Sequence, residues 1–369
     1  NIKGDDDDDE ESILINPNFP AKKDNKEISA EPSIGQKSKM IGGKCAIELE
    51  SAGRFDVPSL VYFGDYDVDD INNVALSREE DTLHNIVVAL DKQKSDDKWT
   101  VFDMTLEEFY ETLVSIKYRF NSSIHNHRWM CNCQAKYPET QRKLSEMEID
   151  LTTIRYVSIQ ESEENLRLEY KEKLDKISDE DFNKLLMRKY GEVGRSREEE
   201  VLMLKIKEPI IVHDDDKSYV FRFVKVKDML TAMELGQSKF NWKIRQLKNK
   251  PVRMGDDEQI EKREDEIRKL EHEKAKLIVK AMKAQTLLEF CGSEVKSLDD
   301  KMEIFGQMSK TALFKLGKLM EGAKFGIHDE REFTCNICKN TEKRLLQRTI
   351  SPIELFPVDD TDKPGSSGK

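Results

Sequence analysis

Two pairs of cysteines, about two hundred residues apart, constrain this chain more than any other feature. Cys131 and Cys133 form a Cys-x-Cys pair, and Cys335 and Cys338 form a Cys-x-x-Cys pair. Each pair can present two thiolates to one metal ion, and a structural zinc ion takes four such ligands in a tetrahedron. If one ion is shared, most of the protein is a single closed loop. We therefore predict a structural four-cysteine zinc clasp that joins the N- and C-terminal parts of the chain.

The same residues leave other arrangements open. The two pairs can be independent reduced thiols, or His125 or His127 can replace a cysteine in a site with two histidine ligands. Iron is an alternative to zinc, because tetrahedral sulfur sites hold either metal. The other two cysteines, Cys45 and Cys291, are expected to be buried and to behave as small hydrophobic residues.

Composition narrows the class of protein. Hydrophobic residues make up 37% of the chain and charged residues 36%, which is typical of a modest core under a heavily solvated surface. No run of about 18 apolar residues and no apolar signal segment is present, so we expect no membrane association. The net charge of −12 argues against a general nucleic-acid binder, which needs clustered Lys and Arg.

Shifts in composition divide the chain into five predicted parts and give an α+β fold class. The first part contains an unbroken acidic run at residues 5–11 and too few apolar residues to fold alone. The five parts are an acidic, polar, disordered-like arm at 1–43, an α+β body with β-hairpins at 44–250, a long helical hairpin at 251–325, a zinc knuckle with a C-terminal strand that packs back on the body at 326–357, and a flexible tail at 358–369.

Periodicity of the apolar residues predicts the main elements within these parts. Ser77 and Glu80 form a capping box, and Gly191 is suited to end a helix. We predict helices over 77–91, 103–120, 165–177, 179–190 and 226–235, a strand over 148–159, a β-hairpin from 200–212 and 219–226, and two long helices over 256–290 and 294–322.

Motifs that would indicate an enzyme are missing from the sequence. There is no His-Glu-x-x-His, no Gly-rich phosphate loop and no nucleophile elbow. The string His125-Asn126-His127 matches the name of a nuclease family, but in that family these residues are dispersed along a strand and a helix, so we treat the match as accidental. The basic stretch 239–253, with Trp242, is an alternative nucleic-acid contact, although such runs more often form ion-paired helix faces. We predict a protein that is not an enzyme.

An ordered set of short segments resembles the baseplate-hub and tail-assembly proteins of contractile-tailed, T-even-like bacteriophages. The segments span residues 56–357 and follow one another in this order. They are Val57-Pro58-Ser59 with Tyr62, residues 129–133 after a pair of helices, 148–151, 208–213, Phe325-Gly326, 333–338 and 350–356.

The resemblance implies a structural or assembly subunit of the tail baseplate, with Cys131, Cys133, Cys335 and Cys338 as the metal ligands. It also implies partners among the hub, tube or tape-measure proteins in a hetero-oligomeric assembly, and a location in the virion after assembly in the host cytoplasm. Two alternatives come from the residues themselves. One is a zinc-dependent nucleic-acid-binding protein or nuclease, and the other is a cytosolic scaffold that uses its long helices as a coiled coil.

Overall fold

The computed structural model describes most of the chain between residues 37 and 346. The described residues are 37–64, 82–120, 123–134, 137, 142–191, 194–214, 216–250, 257–322 and 325–346. Most of the predicted N-terminal arm, the capping box of Ser77 and Glu80, residues 347–357 of the predicted knuckle and C-terminal strand, and the C-terminal tail lie outside these residues.

Helices and short antiparallel strands alternate along the described chain. The strands are β1 (Ser38–Ile41), β2 (Lys44–Glu48), β3 (Leu60–Phe63), β4 (Ile124–Trp129), β5 (Ser145–Asp150), β6 (Tyr156–Val157), β7 (Ile210–Asp214), β8 (Lys217–Phe221), β9 (Leu287–Phe290), β10 (Ser293–Glu294), β11 (Gly326–Ile327), β12 (Glu330–Thr334) and β13 (Thr341–Leu345). The helices are α1 (Thr82–Gln93), α2 (Leu106–Phe120), α3 (Ile159–Leu174), α4 (Asp179–Tyr190), α5 (Arg197–Leu202), α6 (Val226–Asn249), α7 (Asp257–Gln285), α8 (Leu298–Gln307) and α9 (Lys310–Gly322).

A first core lies between the N-terminal sheet, α1, α2 and the β4–β5 hairpin. The sheet is an antiparallel meander in the order β1-β2-β3. Helix α2 contributes Phe109, Leu113 and Ile116, which are fully buried because they recur on one face at helical spacing. C-terminal residues, including Phe333 and Cys335, pack into this same core. The first core is therefore built from both ends of the described chain.

A second core surrounds an antiparallel sheet in the order β10-β9-β8-β7. This sheet holds the base of a long helical hairpin, because α6 begins soon after β8 and β9 follows directly after α7. Helices α6 and α7 then pack along each other, and the side-chain amide oxygen of Asn241 accepts a hydrogen bond of 2.6 Å from Lys274 Nζ. Helix α6 also begins in the first core, where Val226 is fully buried. The hairpin is thus anchored in both cores.

A small third cluster packs α3, α4 and α5 together around Leu174, Phe182, Leu186 and Val201. Helix α4 covers the residues predicted for it, and Gly191 ends it with a positive φ of 68°. Only glycine adopts this left-handed conformation without a steric cost, so the residue fits its position as a helix cap.

The end of the described chain returns to the N-terminal half. Strand β11 pairs with β6, and Arg331 donates hydrogen bonds to the backbone oxygen and the hydroxyl of Thr153, at 2.9 and 2.7 Å. Hairpin β12–β13 then brings the second cysteine pair beside the first. These contacts confirm the α+β class, with β-hairpins, a helical hairpin and a cysteine cluster that joins the two parts of the chain.

The helical hairpin differs from the predicted one in its two arms. Its arms are α6 and α7, whereas the sequence predicted a hairpin within 251–325 built from 256–290 and 294–322. Helix α7 ends at Gln285, because the next residues leave the helix and pair with β8 as strand β9. Helix α6 is also far longer than the predicted 226–235. The apolar spacing continues past Gly236, the residue that directly follows the predicted helix.

The predicted helix over 294–322 is two helices, α8 and α9. The apolar period runs across the break, which is why the sequence predicted one helix. Ser309 begins α9 by accepting a hydrogen bond of 3.1 Å from the backbone N–H of Ala312. Its own backbone N–H and hydroxyl donate to the Asp214 carboxylate, at 3.0 and 2.6 Å. This contact with the β7–β8 hairpin fixes the start of α9.

Two strand predictions were also too long. Strand β5 ends at Asp150, and the chain passes through a short turn before Ser158 caps helix α3 with a hydrogen bond from Glu161 N. Residues 200–202 belong to helix α5, which Ser196 and Glu199 start with a reciprocal capping box. The hairpin β7–β8 itself is present. No helix in the described part of the chain is both long enough and apolar enough to cross a lipid bilayer.

We expect Gly236 to be required for the close approach of α6 to α7. A Cβ atom at Gly236 would lie 2.6 Å from Ile278 Cγ1, whereas one at Gly317 of α9 would meet nothing within 4 Å. Overpacking lowers the free energy of unfolding by about 1–3 kcal/mol. Replacement of glycine by alanine within a helix raises it by up to about 1 kcal/mol where there is space for the methyl group. The free energies of unfolding of Gly236→Ala and Gly317→Ala, measured with urea, should differ by about 2 kcal/mol with Gly236→Ala the less stable. Equal stabilisation by both would contradict this packing.

Candidate metal centre

Strand β4 and the turn after it position the first cysteine pair. Along β4, exposed and buried residues alternate, and His125, His127 and Trp129 face the core. The chain then leaves the strand, and a short 3-10 turn places Cys133 beside Cys131. The backbone N–H of Gln134 donates to the carbonyl of Cys131 at 2.9 Å and closes this turn.

The loop of hairpin β12–β13 positions the second pair. Cys335 N donates to Asn340 O at 2.9 Å, and Lys339 N donates to Cys335 O at 3.0 Å. Lys339 has a φ of 60°, which allows the loop to turn tightly after Cys338. The backbone N–H groups of Ile337 and Cys338 point at Cys335 Sγ, at 3.4 and 3.5 Å. The loop thus presents both sulfurs on the same side.

The four sulfur atoms lie close together, and two of their separations match the edge of a tetrahedral metal site. Cys131 Sγ lies 3.7 Å from Cys338 Sγ, and Cys133 Sγ lies 3.8 Å from Cys335 Sγ. All four sulfurs lie within 4.8 Å of one another. With metal–sulfur bonds of about 2.3 Å, the edge of a regular tetrahedron is about 3.8 Å. The four cysteines can therefore hold one metal ion, as the sequence predicted.

Hydrogen bonds to Cys335 Sγ stabilise the thiolate form of this residue. The Ser145 hydroxyl donates to Cys335 Sγ at 3.4 Å and accepts from the backbone N–H of Asn336 at 3.2 Å. The Ser145 hydroxyl, and then the backbone N–H of Cys338, lower the pKa of the Cys335 thiol to about 6. The side chain of Gln134 donates to Cys133 Sγ at 3.2 Å. Sequence patterns gave no sign of Ser145, whose role depends on its pairing with Trp129 across the β4–β5 hairpin.

Aromatic packing connects the two halves of the centre beneath the sulfurs. The ring of Phe333, which is fully buried, makes edge-to-face contacts with His127 at 5.7 Å and with Trp129 at 5.8 Å. The guanidinium of Arg344 lies over the Trp129 ring at 4.7 Å. These contacts hold hairpin β12–β13 against β4 independently of any ion.

The two histidines lie in the core rather than in the metal cluster. The exposed fractions of the side chains are 2% for His125 and 1% for His127. Among the described residues, the metal-binding cluster consists of the four cysteine sulfurs and includes neither histidine. Burial, followed by the charge of Lys117, lowers the pKa of His125 to about 3. Of the two remaining cysteines, Cys45 is buried as predicted. The prediction was wrong for Cys291, which is exposed in the turn between β9 and β10 with a φ of 49°.

Comparison with known proteins identifies no relative of this chain. It has no significant match among protein-family models, curated proteins or solved structures.

We expect the metal ion to stabilise the fold. Cys335→Ser removes one sulfur of the cluster, whereas Cys291→Ser removes a thiol outside it. Because binding at a structural metal site contributes directly to folding, Cys335→Ser should lose its bound metal and roughly 3 kcal/mol or more of unfolding free energy. Cys291→Ser should change neither. Elemental analysis and urea unfolding of the two variants test this, and unchanged stability of Cys335→Ser would contradict it.

Ser145→Ala should weaken the metal site without removing a ligand. Loss of a group that hydrogen-bonds a metal ligand typically weakens metal affinity about 10–100-fold. Competition with a chromophoric chelator measures this affinity. The matched control is Ser115→Ala, which removes a buried hydroxyl of helix α2. This variant should retain the metal affinity of the native protein.

Stability should decrease in mild acid because His125 is buried in its neutral form. The unfolded chain takes up a proton near pH 6.5, but the folded chain does not, so the stabilisation is complete above this pH and is lost as the pH falls. By pH 5.5 the loss from this residue should be about 1.4 kcal/mol. Urea unfolding well above pH 6.5 and again at pH 5.5 should show a smaller change in the free energy of unfolding for His125→Asn than for the native protein. An identical dependence would contradict the assignment.

Proposed function

We propose that the four cysteines bind one zinc ion and that this ion is structural. The observation that carries the proposal is the convergence of four sulfurs from two segments 202 positions apart. Four thiolates fill the tetrahedral coordination of zinc and leave no position for water or a substrate. Zinc fits this ligand set because structural sites commonly use four cysteines, with iron as the competing metal. Elemental analysis of purified protein distinguishes the two.

We infer further that the chain is a non-enzymatic structural or assembly subunit of a phage tail baseplate, in its hub region. Support comes from the ordered segments between residues 56 and 357, of which the two cysteine pairs are the most specific. Such a subunit must keep its shape while neighbouring hub, tube or tape-measure proteins assemble on it. A metal that joins distant segments suits this requirement, because it limits opening of the core.

The nuclease alternative is disfavoured by the environment of its candidate residues. His125 and His127 are buried beneath the cysteine cluster, so neither can reach a phosphodiester. In the basic stretch on α6, Lys248 forms an ion pair of 3.4 Å with Glu271 of α7. The scaffold alternative needs long helices that are available to a partner, but α6 and α7 pack against each other.

Complementation in a phage that carries this gene tests the tail role. An early stop codon should abolish infectious particles and leave incomplete tails in electron micrographs. Supply of the native protein or of Cys291→Ser should restore infectivity, and supply of Cys335→Ser should not. Mass spectrometry of purified particles should find the chain in the baseplate. Normal tails without the protein would overturn the proposed role, while the zinc proposal would stand or fall on the purified protein alone.

A further inference from the structure

Four exposed apolar residues lie in the chain segments that carry the two cysteine pairs and directly before strand β5 next to them. Met130, Tyr137, Leu144 and Ile337 are each 41–53% exposed, and we call these four residues the clasp patch. Met130 and Leu144 each lie one residue beyond the paired Trp129 and Ser145 at the end of the β4–β5 hairpin. Ile337 follows Asn336, whose backbone and side chain donate to Ser145 Oγ and to Glu146 O. Clustered apolar residues of this kind mark interaction surfaces.

The rim of the clasp patch carries excess positive charge. Arg142, Lys143 and Lys339 have no ion-pair partner in the part of the chain that the structure describes, and both lysines are exposed. The neighbouring carboxylates already have partners. Glu146 pairs with Arg128 at 3.0 Å, and Glu342 pairs with Arg344 at 2.6 Å. The surface therefore fits a segment that combines apolar side chains with several carboxylates.

We propose that the clasp patch binds the N-terminal segment 5–15 of its own chain. This segment contains seven consecutive acidic residues at 5–11, followed by Ile13, Leu14 and Ile15. Its carboxylates would face the basic rim while its apolar residues cover the patch. Complementary charge would set the position of the segment, and apolar burial would add affinity. The proposal does not depend on a role in a phage tail.

The described chain begins close enough for this contact. Ser38 Oγ accepts a hydrogen bond of 3.0 Å from Arg119 Nε near the end of α2. Strand β4 starts four residues after α2 and runs toward the cysteine cluster, a length of roughly 20 Å for its six residues. About twenty residues separate segment 5–15 from Ser38, and such a stretch can span more than about 60 Å when extended. The tether is therefore long enough.

Carbodiimide cross-linking of the full, metal-loaded protein tests the contact, because it joins carboxylates only to amines that touch them. Carboxylates of residues 5–11 should link mainly to Lys143 and Lys339. The exposed lysines Lys39 and Lys44 are nearer along the chain and serve as the proximity control. A mixture of ¹⁴N- and ¹⁵N-labelled protein should give links within single chains. Preferential links to Lys39 and Lys44, no links to the rim, or mixed-isotope links would overturn the proposal.

Hydrogen exchange of the segment gives a second, independent readout. In Lys143→Glu/Lys339→Glu, the protection of backbone amides near residues 13–15 should fall about fivefold, as expected for the loss of two surface ion pairs. The matched variant Lys39→Glu/Lys44→Glu should keep the protection of the native protein. High salt should weaken the protection in the native protein, because it screens exposed charges. Equal exchange in both variants would overturn the proposal.

Discussion

Convergence of four sulfur atoms from two distant segments is the constraint on which the rest of the structure depends. The two half-sites are 202 positions apart, so their meeting closes a loop that contains most of the described chain. Closing a long loop costs entropy, although this cost grows only slowly with length. Strand pair β6–β11, the contacts of Arg331 with Thr153 and the packing of Phe333 connect the same two parts of the chain. A bound ion would add a further link between them.

The cysteine cluster and the helical hairpin are linked through the first core. That core contains Cys131 and Cys335 as well as Val226, the first residue of α6. At the other end of the hairpin, α7 leads directly into β9 of the second core. The helical hairpin is therefore held at its base by both cores. Its first residue shares the first core with two of the cluster cysteines.

Cap residues and the spacing of apolar residues and cysteines made much of this fold predictable from the sequence. The predictions that were wrong or missing depend on contacts between residues far apart in the chain. Cap residues and apolar spacing correctly identified α4, which ends at Gly191, and the spacing of the cysteines identified the ligand set that the structure brings together. Strand β9 was missed because its pairing with β8 involves residues about seventy positions away. The break before α9 depends on Asp214 of a separate hairpin. Ser145 could not be assigned to the metal centre, since its partner Cys335 is 190 positions away.

X-ray absorption at the metal edge tests the central claim most directly, because it reports the identity of the metal and its ligands in the protein as purified. The account predicts one zinc ion per chain with four sulfur neighbours at about 2.3 Å and no nitrogen or oxygen ligand. A stoichiometric metal with histidine nitrogen in its first coordination shell would contradict it, and so would protein that is fully folded with no bound metal.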